Sequence, residues 1–211
     1  MLSAVLTFVP AAAVLVMAPG PDSLLVLRNA SRGGRQAGFV TAAGTVTGLL
    51  VWAVAAALGL AALVRASEIG YLVVRWAGAA YLLFLGSQLI WRSRRSRGAE
   101  EQRARALTAG SRRRLAEFLT GAGTNLLNPK VGIFFISFLP VFIPHGAPVA
   151  PTALILGGIF VAEGIAWLAV IVLLGERLNA VVSRASVRRR MERLTGVVMI
   201  GFGLRLAAER R

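Results

Sequence analysis

The chain's single aspartate and its single lysine each directly follow a proline. Asp22 is the only aspartate and comes directly after Pro19-Gly20-Pro21; Lys130 is the only lysine and comes directly after Asn128-Pro129. Both lie inside apolar runs long enough to cross a membrane. A charge inside such a run is costly and by default marks the path of an ion or a substrate. Proline withholds a helix donor and clashes with the preceding turn, so both helices are expected to break there. Lipid tolerates the freed backbone groups only where protein or a water-filled cavity satisfies them. Paired breaks in the two halves of a membrane protein are the best sequence pointer to a transporter's substrate site.

The chemistry such breaks offer is specific. A half-helix starting after Pro21 points the positive end of its dipole at the break, where a carboxylate can bind. Carbonyls freed before Pro19 can receive an ammonium group. Together they suit a zwitterion such as an amino acid. Asp22 can cap its half-helix and pair with Lys130, or bind an amino group or a proton, and these roles are compatible. Asn125 and Asn128 lie within one turn of the second break, where an amide can satisfy freed backbone groups or hydrogen-bond a substrate. Glu163, in the middle of a later apolar run, is a candidate proton carrier. Gly44 and Gly48 share one helix face and favour close helix packing. Arg75 can snorkel to an interface. Trp52, Trp91 and Trp167 read as interface anchors in preference to cavity lining.

These residues need helices in a bilayer to position them. The chain has 211 residues, 56% of them hydrophobic, with a mean hydropathy of +0.70, too apolar for an ordinary soluble domain. Six spans are expected, at about 3–27, 38–64, 69–91, 118–143, 152–175 and 191–208. The formal charge is +15, and its arginines cluster between spans. Residues 28–35 hold three, 92–117 hold nine and 176–193 hold six, so 18 of the 24 basic residues fall in alternate loops. The positive-inside rule puts those loops in the cytoplasm and, with six spans, both termini outside. A five-span variant would put the Arg205, Arg210 and Arg211 tail inside. The loop at 92–117 also suits anionic lipid headgroups. The first 18 residues carry no charged side chain. Without a basic start they read as a retained helix, not a signal peptide.

The same composition argues against other classes. There is no cysteine and a single histidine, His145, which leaves no metal or thiol chemistry. No phosphate-binding loop, serine-hydrolase elbow or zinc-protease motif is present, so neither enzyme activity nor a cofactor is expected. No nucleic-acid motif accompanies the basic charge.

The chain reads as one membrane domain of two halves, about 1–91 and 118–211, joined by the basic loop at 92–117. Both halves open with a proline-broken helix. Thr47-Gly48-Leu49-Leu50-Val51-Trp52 compares with Glu163-Gly164-Ile165-Ala166-Trp167. Arg75-x-x-Gly78-x5-Phe84 compares with Arg193-x-x-Gly196-x5-Phe202. Three spans per half would make the repeat inverted, as in many secondary transporters. The expected fold is therefore all-α, with six transmembrane helices in an inverted 3+3 repeat and breaks in helices 1 and 4.

Ala18-Pro19-Gly20-Pro21-Asp22, then Arg32-Gly33-Gly34-Arg35-Gln36-Ala37-Gly38 leading to Gly44-x3-Gly48, resemble the signatures of the LysE-type translocators. So do Gly78-Ala79-Ala80-Tyr81-Leu82-Leu83-Phe84-Leu85-Gly86 and Thr124-Asn125-Leu126-Leu127-Asn128-Pro129-Lys130 with Phe134-Phe135 and Phe138-Leu139-Pro140. The resemblance is specifically to the homoserine/threonine exporter (RhtB) branch, over nearly the whole chain. It implies a multi-pass protein of the bacterial inner membrane that exports amino acids, driven by proton exchange. Where the family often has Leu-Pro-Gln-Phe, this chain has Leu139-Pro140-Val141-Phe142. The signatures are shared across cargoes and do not name the amino acid. Two other readings stand beside export: an uncoupled small-solute channel or flux valve, and a membrane scaffold or sensor working through its basic loop. A homodimer would rest on Gly44 and Gly48 alone.

Overall fold

The computed structural model describes residues 1–18, 20–66, 111–144 and 146–175, with isolated positions between 76 and 91 and between 190 and 204. Among the described residues every regular element is helical. The third and sixth spans, most of the basic loops at 92–117 and 176–193, Pro19, Arg75 and His145 lie outside them. So does the comparison of Arg75–Phe84 with Arg193–Phe202, apart from single residues.

Helix α1 (Leu2–Met17) ends at Ala18, whose φ of −61° and ψ of 124° are extended. Pro19 accounts for this, because a following proline disfavours the helical region. Helix α2 (Pro21–Ala66) restarts on Pro21 and runs 46 residues with one interruption, Gly34, at φ 79° and ψ 175°. Only glycine adopts that backbone readily. At about 1.5 Å per residue, α2 is about 69 Å long, more than two bilayer cores. Gly34 divides it. The loop expected at 28–35 is therefore a single-residue kink flanked by helix.

Helix α3 (Ser111–Leu126) begins inside the stretch expected as loop, so the polar segment before the fourth span is shorter than the arginines suggest. Its Arg113 Nε donates to Glu117 Oε1 at 2.9 Å, one turn on. The chain breaks at Leu127-Asn128 and restarts as α4 (Pro129–Ile133). It then loosens into one π-helical turn at Phe134–Phe138 and tightens into a 3₁₀ turn at Leu139–Phe142 around Pro140. The two arms, Arg113–Leu126 and Pro129–Phe142, meet at 48°. Helix α5 (Val149–Leu173) follows Pro148 and is apolar apart from Thr152 and Glu163. Among the described residues two helices are long and apolar enough to cross a membrane, or three if the bent pair counts as one span.

Glycines let these helices approach closely. A methyl group on Gly44 would run into the Phe118 carbonyl of α3, and one on Gly121 into the Thr41 carbonyl of α2. A Cβ at Gly48 would stand 2.7 Å from Asn125 Oδ1. Gly44 and Gly48 are thus packed within the chain, and any homodimer must use another face. On α5, Gly157 faces Ala53 and Gly164 faces Leu49, both on α2. Phe8, Phe134, Phe135, Phe138, Phe142 and Phe160 form an aromatic core. Phe134 stacks on Phe160 at 3.9 Å, and Phe8 meets Phe142 edge-on at 5.2 Å. A second core joins Val26, Leu27, Ala30 and Ala42 of α2 to Leu168, Ile171 and Val172 of α5. The outer surface is studded with exposed Leu2, Leu6, Leu58, Ile155 and Leu173. Such an apolar exterior is what lipid requires.

Candidate functional site

The two breaks meet in space, and each is completed by a side chain from the other. In an unbroken helix the Leu15 carbonyl would accept from the N–H of residue 19. Pro19 has no N–H. The Lys130 ammonium takes that role: Nζ donates to the Leu15 carbonyl and the Ala18 carbonyl, each at 3.0 Å. The positive group sits at the negative end of α1.

The second break is handled by side-chain amides. Asn125 would normally be bonded by the N–H of residue 129, again a proline, so its carbonyl accepts from the Asn128 N–H at 3.0 Å instead. Asn128 Oδ1 accepts from the Lys130 backbone N–H at 3.0 Å and caps α4. Its Nδ2 donates to Asp22 Oδ2 at 2.8 Å, and Asn125 Nδ2 donates to the same oxygen at 2.9 Å. Asp22 lies in the first turn of α2, at the positive dipole end. Asp22, Asn125 and Asn128 are all buried, with exposures of 9%, 0% and 3%.

Asp22 and Lys130 make no direct ion pair, contrary to one expectation. Arg113 and Glu117, by contrast, do form an ion pair. Asn128 links the two charges, bonding the carboxylate with its amide nitrogen and the Lys130 backbone with its amide oxygen. The Leu15 and Ala18 carbonyls of α1, expected as a place for a ligand's ammonium, are taken by Lys130. Two acceptor atoms in the cluster have no donor: Asp22 Oδ1 and Asn125 Oδ1. The second rests against Gly48; Asp22 Oδ1 is a buried acceptor without a donor. Gly20 lies against the lysine, where a Cβ would come within 3.2 Å of Nζ.

The structure therefore brings together Gly20, Pro21, Asp22, Asn125, Asn128, Pro129 and Lys130. Glu163 is not among them. It sits half-buried on α5 with Oε2 buried and unpartnered, and no hydrogen bond links it to the cluster. The carbonyls expected to be freed before Pro19 and to receive an ammonium group include those of Leu15 and Ala18, and the ammonium they receive is the chain's own Lys130; counting four residues back from Pro19 finds the first. Trp52 and Trp167 differ from expectation. Their indole nitrogens are buried without partners, and the Trp52 ring lies against Gly132 of α4. An interface anchor would instead turn its N–H to the headgroups. No group of residues able to hold a metal ion is found among the described residues.

The family profile for LysE type translocators matches residues 13–210. The chain belongs to the LysE type translocator family. This translocator is 31% identical to the uncharacterized membrane protein PA4757 of Pseudomonas aeruginosa, over 95% of its length and 93% of that protein's. It is 29% identical to the uncharacterized membrane protein YrhP of Bacillus subtilis, over 95% and 96%. It is likewise 29% identical to a leucine efflux protein of Salmonella typhimurium, over 95% and 93%. No solved structure matches it. Family membership and the efflux relative indicate a multi-pass membrane transporter rather than an enzyme.

Proposed function

We propose that this translocator exports neutral amino acids from the bacterial cytoplasm across the inner membrane, as a proton antiporter of the homoserine/threonine exporter type. The observation that carries the reading is the cross-brace of Asp22, Asn125, Asn128 and Lys130 at two facing helix breaks. The substrate's ammonium group binds Asp22 Oδ1, the acceptor left without a donor. Its carboxylate binds at the N-terminal end of α2, where the first-turn N–H groups have no helical partners. Alternating access rocks one half of an inverted 3+3 repeat against the other around these breaks. The reciprocal form of the brace supports such a repeat: each proline-led half-helix sends its first-turn charge to the end of the opposite broken helix. Glu163 is the candidate proton carrier, since its carboxylate oxygen is buried without a partner. The leucine efflux relative favours an aliphatic cargo, and Trp52, turned inward beside Gly132, offers an apolar wall for its side chain.

The test compares metabolites released by cells overexpressing the translocator with those released by a deletion strain. The expected result is accumulation of one or a few neutral amino acids in the medium of the overexpressing strain alone. Unchanged amino acids, with another solute class released, would refute the assignment.

A further inference from the structure

Lys130 is more than a charge near a break. Its ammonium donates to two main-chain carbonyls at the end of a broken helix, and one of these, on Leu15, is the acceptor whose helical donor Pro19 removes. The carboxylate that balances it is not in contact but one residue away, through Asn128. Carbonyl oxygens at a helix C-terminus with a carboxylate nearby are the surroundings that secondary transporters use to hold a free Na⁺. Gly20 lies against the ammonium, where a Cβ would come within 3.2 Å of Nζ.

We propose that the Lys130 ammonium is a built-in monovalent cation. It fills a cation seat formed by the Leu15 and Ala18 carbonyls and thereby fixes the end of α1 against the second half of the protein. Lys130 is a positioning residue in this account. It does not touch the substrate, and the wild-type protein needs no Na⁺. Once the side chain is cut back, the seat accepts a free monovalent cation, either a small alkylammonium or Na⁺.

The experiment uses the full chain with Lys130→Ala, purified and reconstituted in buffer whose only cation is N-methylglucamine. Transport should fall by about a hundredfold, in line with the loss of a charged donor from buried main-chain carbonyls. Addition of n-propylammonium or NaCl should restore at least part of the lost rate. It should also raise the variant's melting temperature with increasing concentration, as binding to the folded state requires. Neither cation should change the wild type. The rescue by each cation is read separately, so the two sources are distinguished. The melting shift needs no substrate, so it separates failure of this inference from failure of the export reading. Wild-type rates without added cation would overturn the proposal. So would a folded variant that neither cation stabilises nor reactivates. If Lys130→Ala does not fold, Lys130→Arg and Lys130→Met decide. The arginine variant, which keeps a cation, should transport at least about tenfold faster than the uncharged methionine variant, a difference of about 1.4 kcal/mol. Equal rates would overturn the proposal.

Discussion

Asn128 makes two separable contributions, and substitution there measures each. Its Oδ1 caps α4 through the Lys130 N–H, and its Nδ2 supplies one of the two hydrogen bonds to the Asp22 carboxylate. Loss of an Asn cap costs about 1 kcal/mol. Loss of a hydrogen bond to a buried charge costs about 1.5–3 kcal/mol. Asn128→Ala should therefore destabilise the protein by about 2.5–4 kcal/mol. Asn128→Ser keeps a capping oxygen but cannot reach Asp22, so it should recover about 1 kcal/mol of that loss. In an Asp22→Asn background the charge is gone, and the cost of Asn128→Ala should shrink by about 1 kcal/mol or more. The assay is reversible unfolding in mixed micelles, with each variant titrated from folded to unfolded. Equal stability of the Ser and Ala variants would show that the cap does not operate. The same cost in both backgrounds would show that Asn128 and Asp22 are not coupled, and the cross-brace would fall with it.

Three other outcomes are expected. Asp22→Asn should abolish export while the protein reaches the membrane in normal amount; retained export with wild-type kinetics would remove Asp22 from the site. Gly44→Ala should sharply lower the melting temperature, because the added methyl meets the Phe118 backbone, whereas Gly123→Ala, with nothing within 4 Å, should be neutral or gain up to about 1 kcal/mol. Phe134→Ala should cost about 3–5 kcal/mol by opening the aromatic core, measured by the same unfolding titration.

The breaks were legible because proline acts locally: Pro19, Pro21 and Pro129 each interrupt a helix by their own covalent structure. The apolar runs were legible because lipid demands them. Boundaries were less so. Hydropathy marks where a helix enters lipid, not where it starts, and α3 already includes Arg112, Arg113 and Arg114, which a helix in water tolerates as well as a loop does. The stretch at 28–35 looked like a loop for the same reason, although only Gly34 leaves the helical backbone. At the site, Asp22 and Lys130 were visible as single charges, but their partners were not. Their bonds run to residues more than a hundred positions away, and no local rule fixes such a pairing. The inward turn of Trp52 was also hidden, because it depends on Gly132, which lies on the opposite half of the chain.

The most direct test of coupled export through this site is amino-acid efflux from proteoliposomes under an imposed pH gradient. The purified protein is reconstituted with labelled leucine inside and the outer buffer made acid, neutral or alkaline. Efflux that speeds with an acid exterior, slows when the gradient is reversed and disappears in Asp22→Asn is the predicted result. Efflux at one rate regardless of gradient direction would contradict antiport and return the protein to the class of uncoupled channels.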